Sequence, residues 1–161
     1  MSIPLNRQEI LREIVQDFGF DSLDIYLLPV MPLIEMMWAD GKVDIAETRI
    51  LVDFTNKLLK SLQRSADNEI VVSKAHAEKF IKRFLHERPS AQMLKKLRAL
   101  SLSLIQTEEN YSNKTDEILE YCIDIAAATV GFYPYADRER VNQNEKDILH
   151  DLIEQIKTGI K

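Results

Sequence analysis

Apolar residues recur at spacings of three and four through most of the chain, and a helix-opening signal precedes each run. Asn6 and Glu9 lead into Ile10, Leu11, Ile14, Val15 and Phe18. Asp21 and Asp24 open a strongly apolar stretch that ends near Trp38–Ala39. Asp44 and Glu47 precede Ile50, Leu51, Phe54, Leu58 and Leu62, and Ser73 precedes Ala77, Phe80, Ile81, Phe84 and Leu85. Pro89–Ser90 interrupts the chain before Leu94, Leu97, Leu100, Leu104 and Ile105. Asn113 or Thr115 starts a run through Ile118, Leu119, Cys122, Ile125 and Ala126 that stops near Gly131. Asn142 with Glu145 opens the last, which carries Ile148, Leu149, Leu152, Ile153 and Ile156 to Gly159. The pattern predicts an all-α fold of about seven helices. Val71–Val72 is too short to be a strand, and 63–72, 107–113 and 132–141 read as loops rather than linkers. Residues 1–161 are expected to form a single helical domain.

One repeat stands out. Val43-Asp44-Ile45-Ala46-Glu47-Thr48-Arg49-Ile50-Leu51 aligns without gaps on Val141-Asn142-Gln143-Asn144-Glu145-Lys146-Asp147-Ile148-Leu149. Asx-x-x-Glu is a capping box, so part of the match follows from helix initiation alone. The flanking Val and Ile-Leu go beyond it. The chain reads as two related helix–loop–helix units joined by basic middle helices.

Composition narrows the class. Of 161 residues, 45% are apolar and 29% charged, a globular balance. Four glycines and five prolines are too few for the turns of a β-sandwich or barrel. A single cysteine, Cys122, excludes an intramolecular disulfide framework and any Cys-pair metal or redox motif, which points to a reducing, cytoplasmic setting. Charges at Arg7, Glu9, Arg12 and Glu13 break up the N-terminus before a signal-peptide run can form. The most apolar stretch, Ile25–Ala39, contains Pro29, Pro32 and one charge, Glu35, and falls short of the ~20 residues that cross a bilayer. It is expected to be a buried helix.

The net charge of −5 is unevenly distributed: residues 57–98 hold eleven Lys/Arg against four Asp/Glu. No aromatic-interleaved basic stripe accompanies it, so nucleic acid is not an expected partner. Solvated helix faces are the ordinary explanation. The alternative is a docking surface for an acidic protein partner or for headgroups in a peripheral membrane-associated complex.

The candidate chemistry lies at Ala39-Asp40-Gly41-Lys42-Val43-Asp44-Ile45-Ala46-Glu47. With Gly41 set at the invariant glycine of an EF-hand, Asp40, Asp44 and Glu47 fall on its fifth, ninth and twelfth positions. Met36 and Trp38 then occupy the first and third and offer no oxygen, so a true EF-hand is excluded. What survives is three carboxylates around a tight turn, which repel one another unless compensated. One reading makes Asp44 the N-cap and Glu47 its capping-box partner, with helix-terminal N–H groups supplying the compensation. The other gathers them around a hard divalent cation (Mg²⁺, Ca²⁺ or Mn²⁺), with Glu35 and Glu145 as further donors.

An apolar helix ending in Trp38-Ala39-Asp40-Gly41-Lys42-Val43-Asp44-x-x-Glu47-x-x-Ile50-Leu51, with a second Val141-Asn142-x-x-Glu145-x-x-Ile148-Leu149 unit, resembles the tellurite-resistance TerB and TerB-like family. Related domains occur at the N-terminus of some membrane-tethered DnaJ-like co-chaperones. The resemblance implies an all-helical bacterial cytosolic fold, an acidic cluster that binds divalent metal, and a role in the response to tellurite and other toxic agents. It carries onto Asp40, Asp44, Glu47 and Glu145. The second unit departs from the first: Asn142 replaces the aspartate and no Asp-Gly turn is present.

Enzymatic activity is not expected. Reducing an oxyanion needs electrons from paired thiols or a bound cofactor, and Cys122 has no cysteine to resolve it. His76, His86 and His150 form no i, i+4 ligand pair, and no catalytic triad or Gly-rich phosphate loop occurs. Met36, Met37 and Trp38 beside the acidic turn are ordinary core residues by spacing. Their alternative is an apolar pocket for a small aromatic or lipid-like ligand.

Overall fold

The computed structural model describes residues 7–39, 45–65, 72–106, 111–128 and 143–158. These form α1 (Arg7–Phe18), a 3-10 segment (Ser22–Val30), α2 (Met31–Met37), α3 (Ile45–Ser65), α4 (Lys74–His86), α5 (Ala91–Gln106), α6 (Tyr111–Ala128) and α7 (Gln143–Thr158). The fold is all-α, with seven α-helices and no strand among the described residues. No helix there is long and apolar enough to cross a membrane.

The stretch expected to be one helix from Asp21 to Ala39 is divided in two. Asp21 and Asp24 do cap its start: the Asp21 carboxylate accepts from the Leu23 N–H at 3.0 Å, and Asp24 accepts from the Asp21 N–H at 2.9 Å. Pro29 then prevents a continuous α ladder, because it lacks an N–H and its ring crowds the preceding turn. The chain runs as a 3-10 segment to Val30 and restarts as α2, where Pro32 is tolerated in the first turn. Upstream, α1 ends at Gly19, whose φ of +66° is the left-handed conformation that favours glycine.

All seven residues of α2 are buried. It packs chiefly against α5 and α6, and also touches α7, α3 and the 3-10 segment. The two proposed units meet here. The first helix of one (α2) lies on the first helix of the other (α6), while α3 packs on α6 and α2 on α7. One hydrophobic cluster runs through the elements, from Ile10 of α1 to Leu152 of α7.

Ser73 and Ser90 accept N–H bonds from His76 and Met93, so α4 and α5 begin where the sequence signals stand. Helix α6 begins at Tyr111, earlier than Asn113 or Thr115. Thr115 is buried one turn inside it and belongs to the packed face. The expected caps Asn6, Asp44 and Asn142, the stops Gly131 and Gly159, and the loop expected at 132–141 lie outside the described residues. Helix α4 is fastened at the edge by Phe80 and Phe84, whose rings meet Phe20 edge-on, and by His76 bonded to Asp24 at 2.6 Å.

Candidate functional site

Asp40 and Asp44 lie outside the described residues, and Glu145 falls in the first turn of α7, where only the backbone is described. Glu47 sits in the first turn of α3 and is buried, 2% exposed. Glu35 is buried in α2, 3.0 Å from the Arg98 guanidinium of α5. Arg98 is itself 2% exposed, and its other end stands 3.9 Å from Asp151 of α7. Among the described residues, no three His, Cys, Asp or Glu side chains gather closely enough to hold a metal ion.

The Arg98 contact changes the standing of Glu35. A buried carboxylate needs a counter-charge, and here the guanidinium already supplies it. Glu35 therefore does not fit the cation-ligand set. Burial pushes its carboxyl above the ordinary value; Arg98 opposes that shift, and Asp151 adds to it.

A cleft of about 300 Å³ opens where the end of α2, the start of α5 and the first turns of α7 meet. Glu35, Trp38 and Ala39 line one side, with Arg88, Asp147 and Ile148 on the others. Ala39 directly precedes Asp40, and Asp147 lies two residues beyond Glu145. Ala39 and Asp147, close in sequence to Asp40 and to Glu145, thus line one cleft. Trp38 is fixed there by its indole N–H, which donates to the Phe84 carbonyl at 2.9 Å. Met36 and Met37 are core residues, 1% and 0% exposed, so Trp38 faces this cleft while they pack behind it.

Cys122 is fully buried in α6, and burial holds its thiol far above the ordinary range. The nearby Glu35 charge pushes the same way and Arg98 the other. A thiol in this setting stays protonated and is a poor nucleophile.

The basic middle segment is less uniform than its composition. Arg98 is buried, and Arg83 donates to the Phe18 carbonyl at 3.0 Å while lying over the Phe20 ring. Lys96 bridges to Glu13 of α1 at 2.8 Å. Lys79, Lys82 and Arg88 are exposed and make no ion pair among the described residues.

Arg98 is not among the residues that the sequence puts forward, although two signals mark it. It lies four residues after Leu94 and three before Ser101, on the inward stripe of α5, and Glu35 is the lone charge of the most apolar stretch. An inward arginine and an inward glutamate each demand a partner. Comparison with protein-family models, with curated proteins and with solved structures finds no match for this chain.

Proposed function

We propose that this is a non-catalytic, TerB-like binding protein in which a divalent cation at the acidic turn braces the two helix–loop–helix units against each other. The observation that supports it is the cleft that Ala39, which directly precedes that turn, shares with Asp147 in the first turns of α7. The ligand set is then Asp40, Asp44, Glu47 and Glu145, without Glu35. All are hard oxygen donors, which suit Mg²⁺, Ca²⁺ or Mn²⁺ and not a thiolate-preferring metal. The braced units present a surface to a protein partner in the stress response that the resemblance implies.

Thermal unfolding with each ion tests this. At 100 times its dissociation constant a cation adds about 2.7 kcal/mol to the stability of the form it binds. The midpoint should rise in the natural chain and stay put in Asp40→Asn/Asp44→Asn. An unchanged midpoint with all three ions, or an equal rise in the variant, removes the reading.

A second reading, a metal-free interaction module, is favoured by α4 and the turn after it, where Lys79, Lys82 and Arg88 stand exposed without ion partners among the described residues. Its partner is an acidic protein segment. Binding of a labelled acidic peptide should weaken steeply with salt and vanish in Lys79→Gln/Lys82→Gln/Arg88→Gln. Salt-independent binding would count against it.

A further inference from the structure

Two carboxylates meet one guanidinium where α2, α5 and α7 come together. Arg98 Nη1 lies 3.0 Å from Glu35 Oε1, and Arg98 Nη2 lies 3.9 Å from Asp151 Oδ2. The two acids differ in their access to water: the Glu35 side chain is 8% exposed and that of Asp151 55%. An ionised Glu35 therefore depends on the guanidinium, whereas Asp151 has solvent as a second partner. The apolar hold on α7 comes from Ile148, Leu149 and Leu152, which pack on the core as α7 lies against α6, α2 and α5.

Charges reach Glu35 from several sides. Helix α5 supplies Arg98 and Lys95, α7 supplies Asp151, and α6 supplies the buried Cys122 thiol, which stays protonated. Arg88 and Asp147 line the cleft with it, Glu47 is buried in the first turn of α3, and Asp24 of the 3-10 segment is bonded to His76. Burial favours the protonated carboxyl and so does Asp151, while Arg98 and Lys95 favour the ionised one. Asp151 and an ionised Glu35 thus repel each other across the guanidinium that attracts both.

We propose that Glu35 and Asp151 compete for Arg98, so that ionisation of Glu35 loosens α7 from the bundle and its protonation tightens it. With Glu35 neutral, the full guanidinium charge acts on Asp151. With Glu35 ionised, Arg98 is neutralised from the α2 side and Asp151 faces a neutral pair. Solvent at Asp151 screens the difference, so the bias on α7 opening is about two- to fivefold rather than all-or-none. The apolar contacts of α7 stay in place, and the change is one of local opening within an intact fold. The device needs no cation at the acidic turn.

Side-chain carboxyl NMR of the full chain follows the titration of Glu35, and amide exchange at Leu152, expressed as protection factors, follows the opening of α7. Between about pH 5 and pH 8, protection at Leu152 should fall about two- to fivefold as Glu35 ionises. Asp151→Asn and Glu35→Gln should each abolish that fall. Coupling is reciprocal, so Asp151→Asn should also lower the proton affinity of Glu35 by a similar factor. Asp151 is exposed, and its replacement leaves the packed core as it is. The proposal is overturned if Asp151→Asn leaves the Glu35 titration where it was, or if protection at Leu152 does not change with pH in the natural chain. An equal fall in the natural chain and in Asp151→Asn overturns it as well, since Glu35 still ionises in that variant.

Discussion

Arg98 of α5 and Glu35 of α2 form an ion pair at 3.0 Å with both side chains withdrawn from water. Asp151 approaches the same guanidinium from α7, so one arginine of α5 addresses two further helices. Glu35 also lines the cleft that supports the proposed function, and Cys122 of α6 feels both charges.

Taking two charges out of water costs free energy that their attraction only partly repays, so the pair is a fixture of geometry more than a source of stability. Arg98→Met leaves Glu35 buried without its counter-charge and should cost about 3–5 kcal/mol in urea unfolding. Glu35→Leu/Arg98→Met removes both charges and should recover most of that loss, because an apolar pair of similar volume is tolerated in such a site.

The raised carboxyl of Glu35 gives a pH dependence whose sign follows from linkage. Folding raises its affinity for a proton, so its contribution is fully present below the unfolded value near 4.5 and is lost as pH climbs through the higher folded value. Glu35→Gln cannot titrate. The stability difference, natural chain minus Glu35→Gln, should therefore fall from pH 4 to pH 7 when both are followed by denaturant unfolding (roughly the span from the ordinary carboxylate pKa to neutrality).

Periodicity made the helices legible because each has one inward stripe, and Ser73 and Ser90 marked starts that the structure keeps. It read Asp21–Ala39 as one helix because apolar spacing does not separate a 3-10 segment from an α-helix when both are buried; Pro29 held the decisive information. Glu35 looked available for a cation because a sequence shows a charge without its partner. A cavity lined by Phe54, Ile105 and Ile118 is not legible in the sequence either. Phe54, Ile105 and Ile118 are marked as inward by their spacing, but whether inward residues from three helices close on one another is a property of packing.

Gly19 terminates α1 at a φ of +66°, and a Cβ placed there meets nothing within 4 Å. The cost of Gly19→Ala is therefore backbone strain without steric clash, offset in part by the lower entropy of the unfolded chain. The variant should be less stable by about 1 kcal/mol, with Gly19→Asn milder, as measured by denaturant midpoints at constant slope.

Cys122 offers a readout that joins the buried pair to the proposed function. Its thiol is fully buried in α6, the helix packed on α2, and burial keeps it protonated, so an aromatic disulfide reagent should reach it only when the two units part. Labelling at neutral pH should be far slower than in denaturant, and where reclosing outpaces labelling its rate measures the opening equilibrium. A cation that braces the acidic turn lowers the open population by the factor its binding supplies, about a hundredfold at 100 times its dissociation constant. Slowed labelling with Mg²⁺, Ca²⁺ or Mn²⁺ in the natural chain, and an unchanged rate in Asp40→Asn/Asp44→Asn, is the expected result. Slowing in both would place the cation elsewhere, since Cys122 senses the parting of α2 from α6 whatever its cause.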